Sequence, residues 1–351
     1  MIQDYGWDEY IHKHNRTHLS TNQIGRVVSV RGTSYLLMSD SGELDAELTG
    51  KLLFCLSREE QPKVGDWVKF IAYESLGFIT EILPRTNELF RKMPGKETAR
   101  QVIAANIDSA LIIQGLDHDF NPMRLERYIA QCIACSIKPV IILNKSDLIT
   151  NQQEVENEVN KLQRNLPVYF CSTLTGTGIP ELTNNIFQPK KTYLFIGSSG
   201  VGKSSLINIL NGNLKQKVNE ISSSTGKGKH TTTTRDLFRL PNGSLLIDTP
   251  GMREFGVGFS DDYHTNETFP VISRLAEDCK FRDCKHTNEE GCAVIEALRE
   301  NRIDRVIYES YLKLMREHMH FEKSIQDKKK EGKRFGRMVR EVKDFRKKNK
   351  Y

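Results

Sequence analysis

A glycine-rich segment at residues 197–204, Gly-Ser-Ser-Gly-Val-Gly-Lys-Ser, restricts the possible folds of this chain more than any other feature. It matches the pattern G-x-x-x-x-G-K-[ST], follows an apolar run and precedes a predicted helix that begins near Lys203. In that context the glycines let backbone N–H groups surround a phosphate chain, next to the positive end of the helix dipole. The alternative is a glycine-rich strand-to-helix turn without a ligand.

The residue types of this loop predict individual roles in binding a nucleoside triphosphate. Lys203 is expected to reach the β and γ phosphates, and the Ser204 hydroxyl is expected to bind Mg²⁺. The other predicted nucleotide contacts in this segment are Gly197, Ser198, Ser199, Gly200, Val201, Gly202 and Ser205.

Apolar runs of strand length alternate with helical stretches through the middle of the chain. Near-continuous hydrophobic strands between amphipathic helices are typical of a parallel sheet that is buried on both faces. We therefore predict a central α/β domain of the P-loop type over residues 91–259. The runs are Ala110–Ile113, Val140–Leu143, Val168–Phe170, Leu194–Ile196 and Leu245–Ile247.

The segments that flank this domain differ from it in composition. Short β-rich runs separated by turns predict a small RNA-binding β-barrel over residues 23–90, for which an OB-fold fits and an SH3-like barrel stays open. It is preceded by a polar extension, residues 1–22, and followed by a linker rich in Arg and Lys, residues 84–101. Residues 260–321 form a helical, Cys/His-bearing domain with predicted helices at Ala293–Arg299 and Arg302–Phe321. A basic tail, residues 322–351, ends the chain.

Residues 144–147, Asn-Lys-Ser-Asp, follow one of the apolar runs and form a candidate base-binding motif. The Asp147 carboxylate can accept hydrogen bonds from both N1–H and the exocyclic amine of guanine, a pair that adenine does not offer. Asn144 can satisfy nearby backbone and base groups, and the Lys145 stem can cover the base plane. The alternative is an N-cap turn.

Four further positions are assigned to the same site. Asp248 and Gly251, in the segment Asp-Thr-Pro-Gly, follow an apolar run; the Asp248 carboxylate would hold Mg²⁺ through water, and the Gly251 N–H would contact the γ-phosphate. Ser172 follows the apolar run Val168–Phe170, in a loop whose backbone suits guanine O6, and Ser146 completes the 144–147 motif. A simple turn at the end of a strand is the alternative for Asp248 and Gly251.

The order of these motifs along the chain is unusual. GTPases of the Ras type run from phosphate loop to D-x-x-G to N-K-x-D, whereas N-K-S-D comes first in this sequence. Circular permutation leaves a sheet intact when the original termini lie close together. We therefore predict a single nucleotide site at the carboxyl ends of the strands of a permuted domain.

The motif set closely resembles that of the ribosome small-subunit-dependent GTPase family (RsgA/YjeQ). The shared order is N-K-S-D, S-x-x-T-G, G-S-S-G-V-G-K-S-S, H-T-T-T and D-T-P-G-M-R-E-F-G, and the resemblance covers residues 24–299. It implies an OB-fold, a circularly permuted GTPase domain and a zinc domain. It also implies assistance to late maturation of the small (30S) ribosomal subunit, with slow GTP hydrolysis that the subunit stimulates.

The resemblance extends to the catalytic residues. Ras-like enzymes orient the attacking water with a Gln just after D-x-x-G, and no Gln stands near Gly251 here. The family pattern implies that His230 takes this role, with a solvent-exposed loop histidine as the alternative. Thr232, one of four consecutive threonines, is expected to complete the Mg²⁺ shell in the GTP state. Together with Lys203, these two residues form the predicted catalytic set.

Seven cysteines are present, and their uneven spacing separates a metal cluster from core residues. Three thiolates and one imidazole in a short segment form a closed four-coordinate set, typical of one structural zinc ion; a redox or catalytic cluster is the alternative. The family carries the same arrangement. The predicted ligands are Cys279, Cys284, His286 and Cys292, whereas Cys55, Cys132, Cys135 and Cys171 are assigned to folded core.

Positive charge is concentrated at the C-terminus. Residues 322–351 contain thirteen Lys or Arg and five Asp or Glu, a net +8 in a chain of net +6. Such a block is either solvated or in contact with a polyanion, and together with the OB-like domain it is assigned to 16S rRNA. No apolar run is long enough to cross a membrane and no targeting segment is present, so we expect a cytoplasmic monomer without membrane contact.

Two functions from different classes follow from these features. The first is an RNA-directed GTPase that acts in assembly of the small subunit. The second is a nucleotide-gated RNA-binding scaffold in which hydrolysis is incidental. A membrane-associated signalling GTPase is disfavoured, because the sequence contains no lipidation motif. An ATPase is disfavoured because it would leave Asp147 without a role.

Overall fold

The computed structural model describes residues 1–15, 21–93, 96–162, 164–212, 236–248, 269–313 and 315–316. Its helices are α1 (Trp7–Lys13), α2 (Gly50–Cys55), α3 (Pro122–Ala134), α4 (Gln152–Asn160), α5 (Ile179–Ile186), α6 (Lys203–Leu210), α7 (Pro270–Ala276) and α8 (Ala293–Arg299). Its strands are β1 (Ile24–Arg31), β2 (Ser34–Ser39), β3 (Gly42–Leu48), β4 (Trp67–Tyr73), β5 (Leu76–Ile82), β6 (Glu88–Met93), β7 (Lys96–Ala105), β8 (Ser109–Gly115), β9 (Lys138–Asn144), β10 (Val168–Phe170), β11 (Thr192–Ile196), β12 (Asp236–Arg239) and β13 (Leu245–Asp248). Residues 305–313 are also helical.

The first five strands close into a barrel in the order β1-β2-β3-β5-β4, with β4 pairing back to β1. Strands β3 and β5 are parallel, so the chain between them must cross over, and it does so through α2 and β4. This five-stranded closure, with a helix between the third and fourth strands, is an OB-fold, which confirms the predicted barrel and excludes the SH3-like alternative.

Strand β3 and helix α2 are elements that the sequence patterns did not reveal. In the sequence of β3, Gly-Glu-Leu-Asp-Ala-Glu-Leu, acidic residues alternate with apolar or small ones. Because Glu, Asp and Ala are weak strand formers, this strand depends on pairing with its neighbours β2 and β5. Helix α2 is short and has no buried residue. The assignment of Cys55 to the core was wrong, because this residue ends α2 and is exposed.

The polar N-terminal extension is folded onto the barrel. Its short 3₁₀ helix (Ile2–Tyr5) and α1 place Ile2 and Trp7 in a cluster with Trp67 and Leu83, all at most 1% exposed. The Trp7 and Trp67 rings lie 4.9 Å apart. A few large apolar residues among many polar ones were enough to anchor this segment.

The α/β prediction is confirmed by a six-stranded sheet in the order β10-β9-β8-β11-β13-β12. Five strands are parallel and β12 is antiparallel to β13. Apolar side chains cover both faces, and Cys132 in α3 and Cys135 at its C-cap are buried as predicted. The predicted linker at residues 84–101 instead forms most of an antiparallel hairpin, β6–β7, between the barrel and the sheet.

Barrel and sheet are joined by a buried arginine and by strand pairing. The Arg26 guanidinium, on β1, donates to the carbonyls of Tyr5, Gly65 and Asn106 and to the Thr192 hydroxyl, the last at 2.9 Å. These acceptors belong to the N-terminal segment, the barrel, the loop between β7 and β8, and β11. Burial lowers the pKa of Arg26 to about 10, opposed by nearby carboxylates. Strand β1 also pairs with β12, which extends the sheet into the barrel.

The described C-terminal residues pack against α3. Ala130 of α3 belongs to the same cluster as Phe269 and Tyr311, and Phe269 also lies under the Arg164 guanidinium at 5.1 Å. Arg164 in turn forms a buried ion pair with Glu126 of α3. The predicted helix Ala293–Arg299 is confirmed as α8. Among the described residues, no helix combines the length and apolar character needed to cross a membrane.

Candidate nucleotide site and metal centre

The predicted nucleotide motifs converge at the carboxyl edge of the central sheet. The phosphate loop leaves β11, whose neighbours are β8 and β13, and the Asn-Lys-Ser-Asp motif leaves β9, one strand further. The loop that contains Ser172 leaves β10. Because these strands run parallel, their loops emerge on one side, where α/β proteins bind ligands.

Asn144 joins the three loops. Its Nδ2 donates to the carbonyl of Val201 in the phosphate loop at 2.8 Å and to the Thr173 hydroxyl at 3.2 Å. Its Oδ1 accepts from the backbone N–H of Thr173 at 3.0 Å. The side chain is fully buried, so these hydrogen bonds are shielded from water. Asn144 therefore holds the base motif against the phosphate loop.

Two glycines are needed for this close approach. Gly202 has a φ of 97°, and a Cβ atom there would lie 2.1 Å from Asn144 Nδ2. Gly197 has a φ of 155°, and a Cβ atom would lie 2.3 Å from the carbonyl oxygen of Ile113 on β8. Only glycine fits at both places without moving the backbone.

Asp147 and Ser172 meet at the outer end of this arrangement. The Ser172 hydroxyl donates a short hydrogen bond to the Asp147 carboxylate and accepts from the backbone N–H of Thr175 at 3.1 Å. Asp147 is exposed, so its carboxylate remains accessible to a ligand. Ser146 is tied to the same loop, because its N–H donates to the carbonyl of Cys171 at 3.0 Å.

Lys145 is held by an acidic residue that the sequence motifs did not include. Its ammonium group donates to the Asp117 carboxylate at 2.5 Å, and Asp117 follows β8. This hydrogen bond lowers the pKa of Asp117. Lys145 itself has a left-handed backbone (φ 65°), and its stem passes over Gly115, where a Cβ atom would lie 3.4 Å from it. The lysine stem is thus fixed between two strand ends.

Lys203 lies at the first position of α6, with its ammonium group folded onto the carbonyls of Gly197 and Ser198. Burial lowers the pKa of Lys203, opposed by the charges of Asp248 and Asp119. Since Asp248 ends β13, the predicted metal carboxylate lies close enough to the predicted phosphate-binding lysine for its charge to affect the lysine pKa. Burial disfavours the charged form of Lys203. A bound phosphate chain would favour that form, because it would supply an anionic partner.

The remaining predicted positions divide into two groups. Ser204 and Ser205 occupy the first turn of α6 and are exposed, as are Ser199 and Gly200 in the loop, whereas Val201 is buried beneath it. Gly251, His230 and Thr232 lie outside the described residues, as does the basic tail, residues 322–351.

Besides Asp117, two contacts of the site were missed from the sequence. Thr173 bonds Asn144 through both its hydroxyl and its N–H. Tyr128, on α3, shares a hydrogen bond with the side chain of Ser198 in the phosphate loop. Burial is the main cause that raises the pKa of Tyr128. Asp117 could have been found, because it follows a strand adjacent to the phosphate-loop strand; Tyr128 lies within a helix and carried no such pattern.

The four predicted metal ligands come together in the C-terminal domain, with their ligand atoms within 4.8 Å of one another. Cys279 Sγ lies 3.9 Å from Cys292 Sγ, and His286 Nδ1 lies 3.6 and 3.4 Å from these two sulfurs. Tetrahedral zinc bonds to sulfur and nitrogen place such atoms about 3.8 Å (S–S) and about 3.5 Å (S–N) apart. The cluster therefore has the chemistry and size to hold a metal ion.

The loop around the cluster is braced by groups that bind no metal. The Glu289 carboxylate accepts the backbone N–H groups of Lys285, Thr287 and Asn288, which lower its pKa to about 2. Burial lowers the pKa of His286, which favours the neutral imidazole that a metal requires. The hydrogen bonds to Glu289 fix the backbone on both sides of the predicted ligand His286.

Comparisons with known proteins agree with this geometry. Residues 82–258 match the model of the RsgA GTPase family. A protein of Bacteroides thetaiotaomicron named small ribosomal subunit biogenesis GTPase RsgA 1 is 41% identical over 341 residues, covering 97% of this chain and 96% of its own. The small ribosomal subunit biogenesis GTPase RsgA of Opitutus terrae is 40% identical over 331 residues, covering 91% of this chain and 90% of its own.

Solved structures have the same architecture. The crystal structure of YjeQ from Thermotoga maritima matches with a TM-score of 0.60 and 26% identity, covering 84% of this chain and 98% of that one. YloQ, described as a circularly permuted GTPase, matches with a TM-score of 0.58 and 26% identity, covering 84% and 94%. The permuted order of motifs is thus shared with a solved fold.

Proposed function

Because the chain belongs to the RsgA GTPase family, we propose that it hydrolyses GTP during late maturation of the small (30S) ribosomal subunit. The names of its relatives, small ribosomal subunit biogenesis GTPases, support this role. The observation that carries it is the set of hydrogen bonds from Asn144, which joins a guanine-type motif to a phosphate loop. In this proposal the chain is an enzyme whose slow turnover is stimulated by the small subunit.

The site residues take the following roles in this proposal. The Asp147 carboxylate binds the guanine edge, and the stem of Lys145 covers the base. Lys203 and the N–H groups of residues 197–204 bind the phosphates, with Mg²⁺ held by Ser204 and, through water, by Asp248. His230 orients the attacking water, Thr232 completes the Mg²⁺ shell, and the Gly251 N–H contacts the γ-phosphate.

The metal of the C-terminal cluster is proposed to be one structural zinc ion. Three thiolates with one imidazole suit zinc and leave no open coordination position. The small domain around it has a limited core, so the ion supplies part of its folding free energy. Cys279, Cys284, His286 and Cys292 would be its ligands.

The partner in this proposal is 16S rRNA within the small subunit. The basic tail, net +8 over residues 322–351, suits contact with phosphate groups. The protein would act as a monomer in the cytoplasm, with no membrane contact. A scaffold with incidental hydrolysis remains the competing function.

Turnover assays with isolated subunits separate these two functions. We expect steady-state GTP hydrolysis to rise on addition of small subunits and not of large ones, and co-sedimentation with small subunits to be stronger with a non-hydrolysable GTP analogue than with GDP. His230→Ala should keep its GTP affinity and lose the stimulation. Equal association with both subunits in either nucleotide, without stimulation, would contradict the enzyme assignment.

A further inference from the structure

The barrel has one outer surface that the rest of the described chain does not cover. On β1 and β2 the outward residues Val28 and Met38 are buried in a cluster that includes Leu237 of β12, so this side packs on the central domain. The outward side of β3, β5 and β4 remains exposed, with Ile71 56% and Tyr73 67% accessible. This exposed surface is named the β3–β5–β4 face.

Strand register defines the face as a grid of two rows. In one row Asp45 of β3 lies beside Leu76 of β5, which lies beside Tyr73 of β4. In the next row Glu47, Phe78 and Ile71 lie side by side in the same strand order. Directly paired residues point to the same side of a sheet, so an acidic column on β3 borders two apolar columns.

The alternation along β5 confirms which side faces outward. Ile79 belongs to the barrel core, and a Cβ atom at Gly77 would lie 3.0 Å from Leu44 and 3.3 Å from Ala46, which also face inward. Because side chains alternate along a strand, Leu76 and Phe78 must face outward. Their apolar surface is therefore part of the exposed face and not of the core.

The adjoining edge of β4 is only partly paired. Strand β1 pairs with Trp67–Lys69, and β5 pairs with β4 as far as Tyr73. Within residues 21–93, the 70–73 half of β4 thus has β5 as its single partner strand. Because no further strand flanks this half of β4 within those residues, an extended peptide can lie across the face from this edge toward β3.

The charge of the face argues against RNA and for a basic polypeptide. Glu43, Asp45 and Glu47 are exposed along β3, and Glu74 lies in the β4–β5 turn. Lys69, at the border, is already paired with Glu81 at 2.6 Å, and Arg31 lies two strands from Glu47. Residues 21–83 as a whole contain nine acidic and six basic residues. Phosphate groups would be repelled here, although the aromatic rings alone would suit base stacking.

We propose that the β3–β5–β4 face binds an extended, basic polypeptide segment of a protein component of the small ribosomal subunit. Its alternate apolar side chains would pack on Tyr73, Phe78 and Ile71, and its cations would pair with Asp45 and Glu47. RNA contact is then left to other parts of the chain. This inference rests on the proposed function for the source of the partner.

Site-specific crosslinking on the full-length protein tests the proposal. A photoreactive p-benzoylphenylalanine replaces Tyr73, or in the control replaces Phe54 of α2, which is 93% exposed outside the face. Each protein is irradiated with small subunits, and the product is digested with ribonuclease or with protease. We expect the position-73 product to be a conjugate with a subunit protein, which ribonuclease leaves intact. Position 54 should give little product.

Charge reversal provides the specificity control. Asp45→Lys together with Glu47→Lys should reduce the position-73 crosslink about tenfold, because attractive pairs become repulsive. Reversal of Glu59 and Glu60 (Glu59→Lys with Glu60→Lys), outside the face, should leave it unchanged. Co-sedimentation of the same samples shows whether the protein is bound to the subunit at all, so failure of the proposed function is recognised separately.

Three results would overturn the inference. A crosslink from position 73 to rRNA would make the face an RNA surface. A crosslink that forms without subunits and disappears when residues 322–351 are deleted would identify the chain's own tail as the occupant. Absence of any product from subunit-bound protein would show that the face is not in contact.

Discussion

Replacement of Asn144 by alanine tests the junction between the base motif and the phosphate loop. The variant loses the donor to the Val201 carbonyl and both bonds to Thr173, and it leaves the Val201 carbonyl unpaired in a buried position. An unsatisfied buried backbone group costs about 1–3 kcal/mol, and the half-buried Thr173 N–H adds less. We therefore expect the opening free energy of these loops to fall by about 2–3 kcal/mol.

Hydrogen exchange measured by mass spectrometry gives this quantity locally in the nucleotide-free protein. Peptides from β9 and α6 should exchange faster in Asn144→Ala, whereas peptides from the barrel should not change. The matched control is Asn151→Ala, which removes the exposed N-cap of α4 and should cost about 1 kcal/mol there alone. If peptides from both β9 and α6 of Asn144→Ala exchange at the wild-type rate, the idea that Asn144 holds the two motifs together is refuted.

Three further predictions concern residues around the site and the domain contacts. Asp117→Asn should weaken GDP binding about three- to tenfold in equilibrium titration, because Lys145 loses the charge-assisted bond that fixes its stem. Arg26→Lys should lower the thermal midpoint, followed by fluorescence of the nearby Trp67, since one ammonium group cannot reach all of the buried acceptors. Glu289→Gln should weaken metal binding about tenfold in chelator competition at pH 7. Because the pKa of Glu289 is lowered in the folded protein, its carboxylate should stabilise the fold fully above its unfolded pKa. This stabilisation should be lost as the pH falls through about 2.

The sequence predicted the central domain well because its strands are continuous apolar runs and its loops carry residues that a phosphate or a guanine base requires. Strand order in the sheet followed neither from these runs nor from the motifs, and it is the order that brings residue 144 beside residue 201. Contacts such as Thr173 to Asn144 arise only when two strand ends become neighbours in space, so local patterns could not reveal them.

Other misses have different physical causes. The hairpin β6–β7 is rich in charged residues that suit a linker equally well, and its few buried apolar residues, among them Leu89 and Ile103, lie near the ends of the two strands that are remote from the turn. The N-terminal extension is mostly polar, and its docking depends on two or three large side chains finding Trp67. Neither element has the periodicity from which a structure is predicted.

The central claim is that one pocket binds guanine at Asp147 and phosphates at residues 197–204. Equilibrium competition of GDP, ADP and xanthosine diphosphate against a fluorescent guanine nucleotide tests it most directly, with wild type and Asp147→Asn. Wild type should prefer GDP over ADP by at least about a hundredfold, and the variant should lose GDP affinity by a similar factor while gaining affinity for xanthosine diphosphate, whose ring carbonyl accepts from the new amide. Equal binding of GDP and ADP to wild type, or unchanged GDP binding by the variant, would contradict the claim.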